Sequence, residues 1–294
     1  MTSQGSTPGR DPGARGDPSE LALSVARCLE VDAARLDSGH PCHGLVNLQS
    51  PDPSQWQVPE AWAGNLTEGR IVFVSSNPSI SEAGDAQSGH AAEDYPTGSW
   101  GDEKIADFVI NRFAHGWATA AGKFRLTDGT YSRKSVTFWT GTRNRASELL
   151  GRVADPAADF VMTEVVHCKS KAQKGVPKAA STCAALHLDR ILAATSAPLV
   201  VILGAHARDL LARRWNLPEG FGAKGVVGID EGVSLAVRTL GGRPRVVAFL
   251  WHPSGMTGPK TFGGAYPEHL AQLRSLVSGD AGVESFTGAS ASPG

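Results

Sequence analysis

The feature that most constrains this chain is the recurrence of short, nearly continuous apolar runs with helical patterns between them. Such runs stand at residues 70–75 (RIVFVS), 159–166 (DFVMTEVV), 199–204 (LVVILG) and 245–251 (RVVAFLW). A strand that is apolar on both faces has to be covered on both faces, as in a parallel sheet between helical layers. Helices are predicted over residues 18–29, 103–118, 143–150, 177–194, 205–215 and 267–277, and residues 233–238 read as a further strand at an edge. The expectation is an α/β fold, a three-layer αβα arrangement with a mostly parallel central sheet. Ligands of such sheets bind beyond the carboxyl ends of the strands, so the residues that follow each run are the candidates for chemistry.

Residues 1–18 and 279–294 hold small and polar residues with little to bury, and both read as disordered tails around one domain at residues 19–278. With 28 Lys+Arg against 29 Asp+Glu, the net charge of −1 excludes binding to nucleic acid through bulk charge and leaves room only for a local basic patch. No run reaches the roughly 18 to 20 apolar residues of a membrane span, and no charged start precedes an apolar stretch at the N-terminus. A cytoplasmic monomer is expected. The cysteines Cys28, Cys42, Cys168 and Cys183 are too few and too scattered for a disulfide framework, which leaves reduced thiols or ligands.

After the first run comes Ser75-Ser76-Asn77-Pro78-Ser79, a rigid polar turn in which Asn77 can orient a water. Glu164 sits inside the second run, where a carboxylate is costly unless it is paired, hydrogen-bonded or directed into a site. The last run ends in Trp251-His252-Pro253-Ser254-Gly255-Met256, placing a histidine on the same rim. Basic residues gather in two loops, Arg133, Lys134, Arg143 and Arg145 in one, and Lys169, Lys171, Lys174 and Lys178 in the other. A single run of this kind is usually a solvated surface, but two beside one rim favour a polyanion.

Taken in order, SSNPS, EVVHCKS, VVILGAHA and HPSGM resemble the uracil-DNA glycosylase superfamily across about residues 40 to 277. The resemblance implies a base-flipping N-glycosylase acting on DNA. Asn77 would orient the attacking water, and His252 would stabilise negative charge on the pyrimidine O2 as the glycosidic bond breaks. It also implies that Met256 fills the gap left by the flipped nucleotide, with Ser254, Lys169, Lys171, Arg143 and Arg145 as further DNA contacts. The stretch from Val165 to Ala207 is most similar to the iron-sulfur branch, in which Cys168 and Cys183 would be two ligands of a 4Fe-4S cluster and Cys42 a third. That branch has a C-x-x-C before the first strand and this chain does not, so the fourth ligand is open among Cys28, His40 and His43, as is whether a cluster binds.

Two departures concern the base. Glu164 stands where the iron-sulfur branch has an asparagine that reads uracil. An ionised glutamate only accepts hydrogen bonds, which suits the N4 amine of cytosine. Ser79 stands where the most uracil-specific branch has a tyrosine that blocks C5 substituents, and a serine leaves room for one. The resulting expectation is excision of a C5-modified cytosine, stacked on Tyr95 or Trp100, with phage DNA as a source and antiviral defence as the occasion. The competing readings are a glycosylase that repairs uracil or other deaminated bases, and a silent DNA-binding module of the same fold.

Overall fold

Side-chain alternation along the strands sorts the interior into two halves. In the first long strand Val72 and Val74 face one core, together with Val161, Val200, Ile202 and Val247 of its neighbours. Ile71 and Phe73 face the other, with Phe160, Met162, Leu199, Val201, Val246 and Ala248. The structure, a computed structural model, describes residues 17–81, 91–222, 235–255 and 258–286.

Six strands form one sheet: β1 (Ala63–Gly64), β2 (Ile71–Ser75), β3 (Phe160–Glu164), β4 (Leu199–Leu203), β5 (Leu235–Leu240) and β6 (Arg243–Leu250). Their order is β1-β3-β2-β4-β6-β5. The four inner strands run parallel, while β1 pairs antiparallel with β3 and β5 antiparallel with β6, so the sheet is mixed. The β5–β6 turn is Gly241-Gly242, both at positive φ, which is what a tight two-residue hairpin demands.

The helices are α1 (Pro18–Ala26), α2 (Glu30–Leu36), α3 (His43–Val46), α4 (Asp102–Ile110), α5 (Thr137–Leu150), α6 (Val176–Cys183), α7 (Asp189–Ala194), α8 (Ala205–Ala212), α9 (Phe262–Ala265) and α10 (Leu270–Ser278). Helices α1, α4, α6, α7 and α8 bury side chains in the first core, and α5, α9 and α10 in the second. Both faces of the sheet are therefore covered.

Three expectations change in detail. The helix expected through residue 118 ends at Ile110, because the Asp107 carboxylate collects Asn111 Nδ2 (2.9 Å), His115 Nδ1 (2.6 Å) and Trp117 Nε1 (2.8 Å) and draws the following chain into turns. The helix expected over 177–194 is interrupted by a π-helical turn, Ala184–Leu188, between α6 and α7. Residues 279–286, expected in the C-terminal tail, include a 3-10 turn (Val283–Phe286) whose Val283 and Phe286 pack against the second core. Most of the expected N-terminal tail and the rest of the C-terminal one lie outside the described residues, but Pro18 already opens α1, with the Asp17 side chain capping Ser19 N–H at 2.8 Å.

Candidate functional site

The parallel strands β3, β2, β4 and β6 bring Glu164, Ser75, Leu203 and Leu250 to one rim in that order. Asn77 follows β2 by two residues and His252 follows β6 by two. Only β4 separates β2 from β6, a gap of two strand spacings, about 10 Å. Asn77, Glu164 and His252 thus share one edge of the sheet. A separate groove opens beside the Gly241-Gly242 turn and shares no residue with this rim.

Glu164 pairs in register with Ser75, whose hydroxyl donates to Glu164 Oε2. Among the described residues no cation reaches Glu164 within ion-pair distance, and the nearby cations pair with Glu60. Arg112 Nη1 lies 2.5 Å from Glu60 Oε1, and Lys169 Nζ lies 3.9 Å from Glu60 Oε2. Tyr95 also donates its hydroxyl to Glu60 Oε2 at 3.3 Å. Burial pushes the Glu164 carboxyl up to about 8, with Ser75 opposing the shift and the Glu60 charge adding to it. Burial acts on Glu60 in the same direction, but Arg112 and Lys169 outweigh it and hold Glu60 below the usual carboxylate range. Glu60 carries the charge and Glu164 carries the proton at neutral pH. The sequence-based argument turned on an ionised Glu164 and left the protonated acid open; burial favours the protonated form.

His252 stacks on Phe138 of α5, with centroids 5.3 Å apart and ring planes 21° apart. Ser254 N–H donates to His252 Nδ1 at 3.2 Å, so the neutral ring carries its proton on Nε2. Burial, and then the like charges of Arg145 and Lys260, hold its pKa below the ordinary value. Gly204, at φ 90°, ends β4 against this ring, and a Cβ there would stand 3.1 Å from His252 Cβ. The result is a neutral imidazole with one N–H to offer.

The remaining expected residues divide. Asn77 is half-buried; its Nδ2 donates to Pro78 O at 2.8 Å. Ser79 is exposed beside it, as are Lys171 and Ser254, whereas Arg143 is half-buried and gives its Nε to Ala154 O at 3.0 Å. Two residues expected on the DNA-contacting surface are interior. Lys169, 3% exposed, donates to Ser81 Oγ at 2.7 Å and sits 3.4 Å from the centroid of the Tyr95 ring. Arg145, also 3% exposed, donates to Trp251 O at 2.9 Å and supports the His252 turn from below. Tyr95 is core, and the ammonium of Lys104 lies 3.3 Å from the Trp100 centroid, so each expected stacking ring has a cation against one face. Met256 lies outside the described residues. The residues missed by sequence reasoning, Glu60 and Arg112, carry no motif; only burial reveals them.

A second constellation lies next to this rim. Cys28, Cys42, Cys168 and Cys183 line one cavity together with His167 and His187. His40 and His43 do not line it. His40 Nε2 meets Glu30 at 2.8 Å, and His43 Nδ1 donates to Ala34 O at 2.8 Å. His187, carried on the π-helical turn, approaches Cys28 Sγ with Nε2 at 3.2 Å, and His167 backbone N–H donates to Cys183 Sγ at 3.3 Å. Buried His167 Nε2 and His187 Nδ1 have no hydrogen-bond partner. Burial, then mutual repulsion, raises Cys42 to about 11, and burial raises Cys183 to about 12. Four such thiols ionise together only around a strongly cationic group. Among the described residues no three Cys, His, Asp or Glu side chains are grouped to hold a single metal ion. The four thiols match a 4Fe-4S cluster in kind and number, while the cavity they line is closed down to about 10 Å³.

No protein-family model matches the chain, and no curated protein matches it. Among the described residues no helix is long and apolar enough to cross a membrane.

Proposed function

We propose that this chain is a DNA glycosylase of the uracil-DNA glycosylase type that flips a C5-modified cytosine out of DNA and hydrolyses its N-glycosidic bond. The observation that carries the reading is the shared rim, to which β2, β3 and β6 bring Asn77, Glu164 and His252 on one edge of the sheet. His252 Nε2–H donates to the pyrimidine O2 as the C1′–N bond breaks and its electron pair moves to the base. Asn77 Oδ1 accepts a hydrogen bond from a water whose oxygen forms the new bond to C1′; the proton that water loses neutralises the departing base anion by way of solvent, leaving an abasic sugar and the free base. Glu164, as a neutral acid, donates to cytosine N3 and accepts from the N4 amine. Exposed Ser79 leaves the C5 side open, and a phage genome with modified cytosine is the substrate this favours, which makes the role antiviral.

The protonated state of Glu164 also favours a second reading, repair of uracil, because the same acid can accept from N3–H and donate to O4. Duplexes carrying cytosine, uracil, 5-hydroxymethylcytosine or its glucosylated form, incubated with the protein and cleaved by alkali at abasic sites, separate the two. Cleavage confined to modified cytosine is expected. Cleavage confined to uracil selects repair, and none selects a silent DNA-binding module.

We further propose that Cys42, Cys168 and Cys183 hold a 4Fe-4S cluster with Cys28 as the fourth ligand, since Cys28 lines the cavity and His40 and His43 do not. Such a cluster would give structural support, tying the α1–α2 link at Cys28, the start of α3 at Cys42 and the end of α6 at Cys183 to Cys168 after β3. Iron content and visible absorbance after anaerobic purification test it. Cys28→Ala is expected to lose both, with His40→Ala and His43→Ala unchanged.

A further inference from the structure

The segment that leaves β3 adopts a rare backbone. Ala172 (φ 53°) and Gln173 (φ 62°) are consecutive non-glycine residues in the left-handed region. The one other such residue among those described is Asn216, an amino acid at home there. Left-handed alanine and glutamine persist only where surrounding contacts enforce them, and they concentrate at functional sites.

Those contacts surround Asn77. Gln173 Nε2 donates to Ser76 Oγ at 2.8 Å, and Ser170 N–H donates to Pro78 O at 3.0 Å, with Ser79 and Ser170 bridged in parallel. Both chain neighbours of Asn77 are therefore fastened to the same loop. With Gln173 on one of its lone pairs, the Ser76 hydroxyl directs its own proton to Asn77 Oδ1, 3.5 Å away. A side-chain amide has two nearly isosteric ends and faces the wrong way unless both are specified. Here Pro78 O specifies the nitrogen end and Ser76 the oxygen end.

We infer that Gln173 is a positioning residue for Asn77, setting through the Ser76 hydroxyl the direction of the carbonyl oxygen that holds the attacking water. The inference rests on the glycosylase reading for its catalytic consequence but not for its geometry, and the experiment separates the two. In 15N-labelled protein, the Asn77 side-chain amide signals, assigned by their loss in Asn77→Ala, are expected to shift in Gln173→Gly, which relieves the backbone and keeps the fold. Unchanged Asn77 signals in that variant overturn the inference, whether or not the protein is active.

On a base that the wild type excises, Gln173→Ala is expected to lower kcat at least tenfold with KM within twofold. The near-isosteric Gln173→Glu only accepts from Ser76 and so draws the hydroxyl proton away from Asn77; it is expected to fail as fully as alanine. In a Ser76→Ala background the Gln173 variants are expected to add no further loss. A Gln173→Glu enzyme with wild-type kcat overturns the inference while leaving the glycosylase reading intact. A wild type inactive on every base removes that reading, and the amide signals still decide the geometry.

Discussion

Ser75 and Glu164 occupy matched positions on neighbouring parallel strands, and the serine hydroxyl donates to a carboxyl that no cation neutralises. A buried carboxyl with one neutral donor keeps its proton. Its pKa of about 8 in the folded chain lies above the ordinary value near 4.3 that it has when unfolded. The folded state therefore binds more protons across that interval, and stability declines as pH rises from about 5 to 8.

Thermal unfolding of wild type and Glu164→Gln between pH 5 and 9 tests this. The variant is neutral at every pH and is expected to lack this component of the decline. Parallel pH dependences in the two proteins would show that Glu164 is ionised. For excision, discrimination against uracil is expected to sharpen above about pH 8, where the carboxylate only accepts.

His252 titrates below its ordinary value, with burial as the main cause and Arg145 and Lys260 as lesser ones. Arg145→Met removes one of these charges, and the imidazole titration followed by NMR is expected to move upward. His252→Ala is expected to cost about 10²- to 10³-fold in kcat, the usual loss of one donor to a developing anion. With the neutral ring as the active form, activity is expected to fall on the acid side as the ring protonates.

Gly204 combines φ 90° with ψ 156°, a conformation essentially confined to glycine, and its missing Cβ leaves room for His252. Gly204→Ala is expected to destabilise the fold by about 1–3 kcal/mol and to reduce excision beyond what the lower stability explains. A variant with wild-type melting temperature and full activity would falsify the close packing.

Arg245 is fully buried and donates to the carbonyls of Leu192, Thr195, Ala197 and Leu240, closing the end of α7 onto the sheet. Arg245→Met strands these four acceptors and is expected to cost about 3 kcal/mol or more, measured by denaturant unfolding. Base excision at low temperature is expected to survive, because Arg245 stands at the opposite end of β6 from His252.

Much of the fold was legible because strand burial leaves a compositional trace. Runs such as LVVILG are apolar at every position, and all four lie where inner parallel strands formed. The edge strand β5 was legible through its pattern, but its antiparallel pairing through the Gly241-Gly242 turn was not read. Short β1 has two residues and no periodicity to read. At the site, Asn77, Glu164 and His252 could be placed on one rim because each follows or ends a run. What could not be read was burial: Lys169 and Arg145 look like surface cations in a string of letters and are interior in three dimensions. The charge state of Glu164 was left open for the same reason, since Glu60 and Arg112 come to it from positions 104 and 52 residues away. Cys28 was one of three open candidates because its meeting with Cys42 depends on how α1, α2 and α3 fold back.

Within ten consecutive residues the chain carries Glu164 at the rim, Cys168 in the thiol cavity, Lys169 close to Glu60 and Gln173 bonded to Ser76. Inserting or deleting one residue there would displace all of them at once. One short segment therefore couples the two sites, and any change in its length alters both. Ser79, by contrast, is exposed on β2's side of the rim, so a different side chain there changes the surface offered to a ligand without a change in chain length.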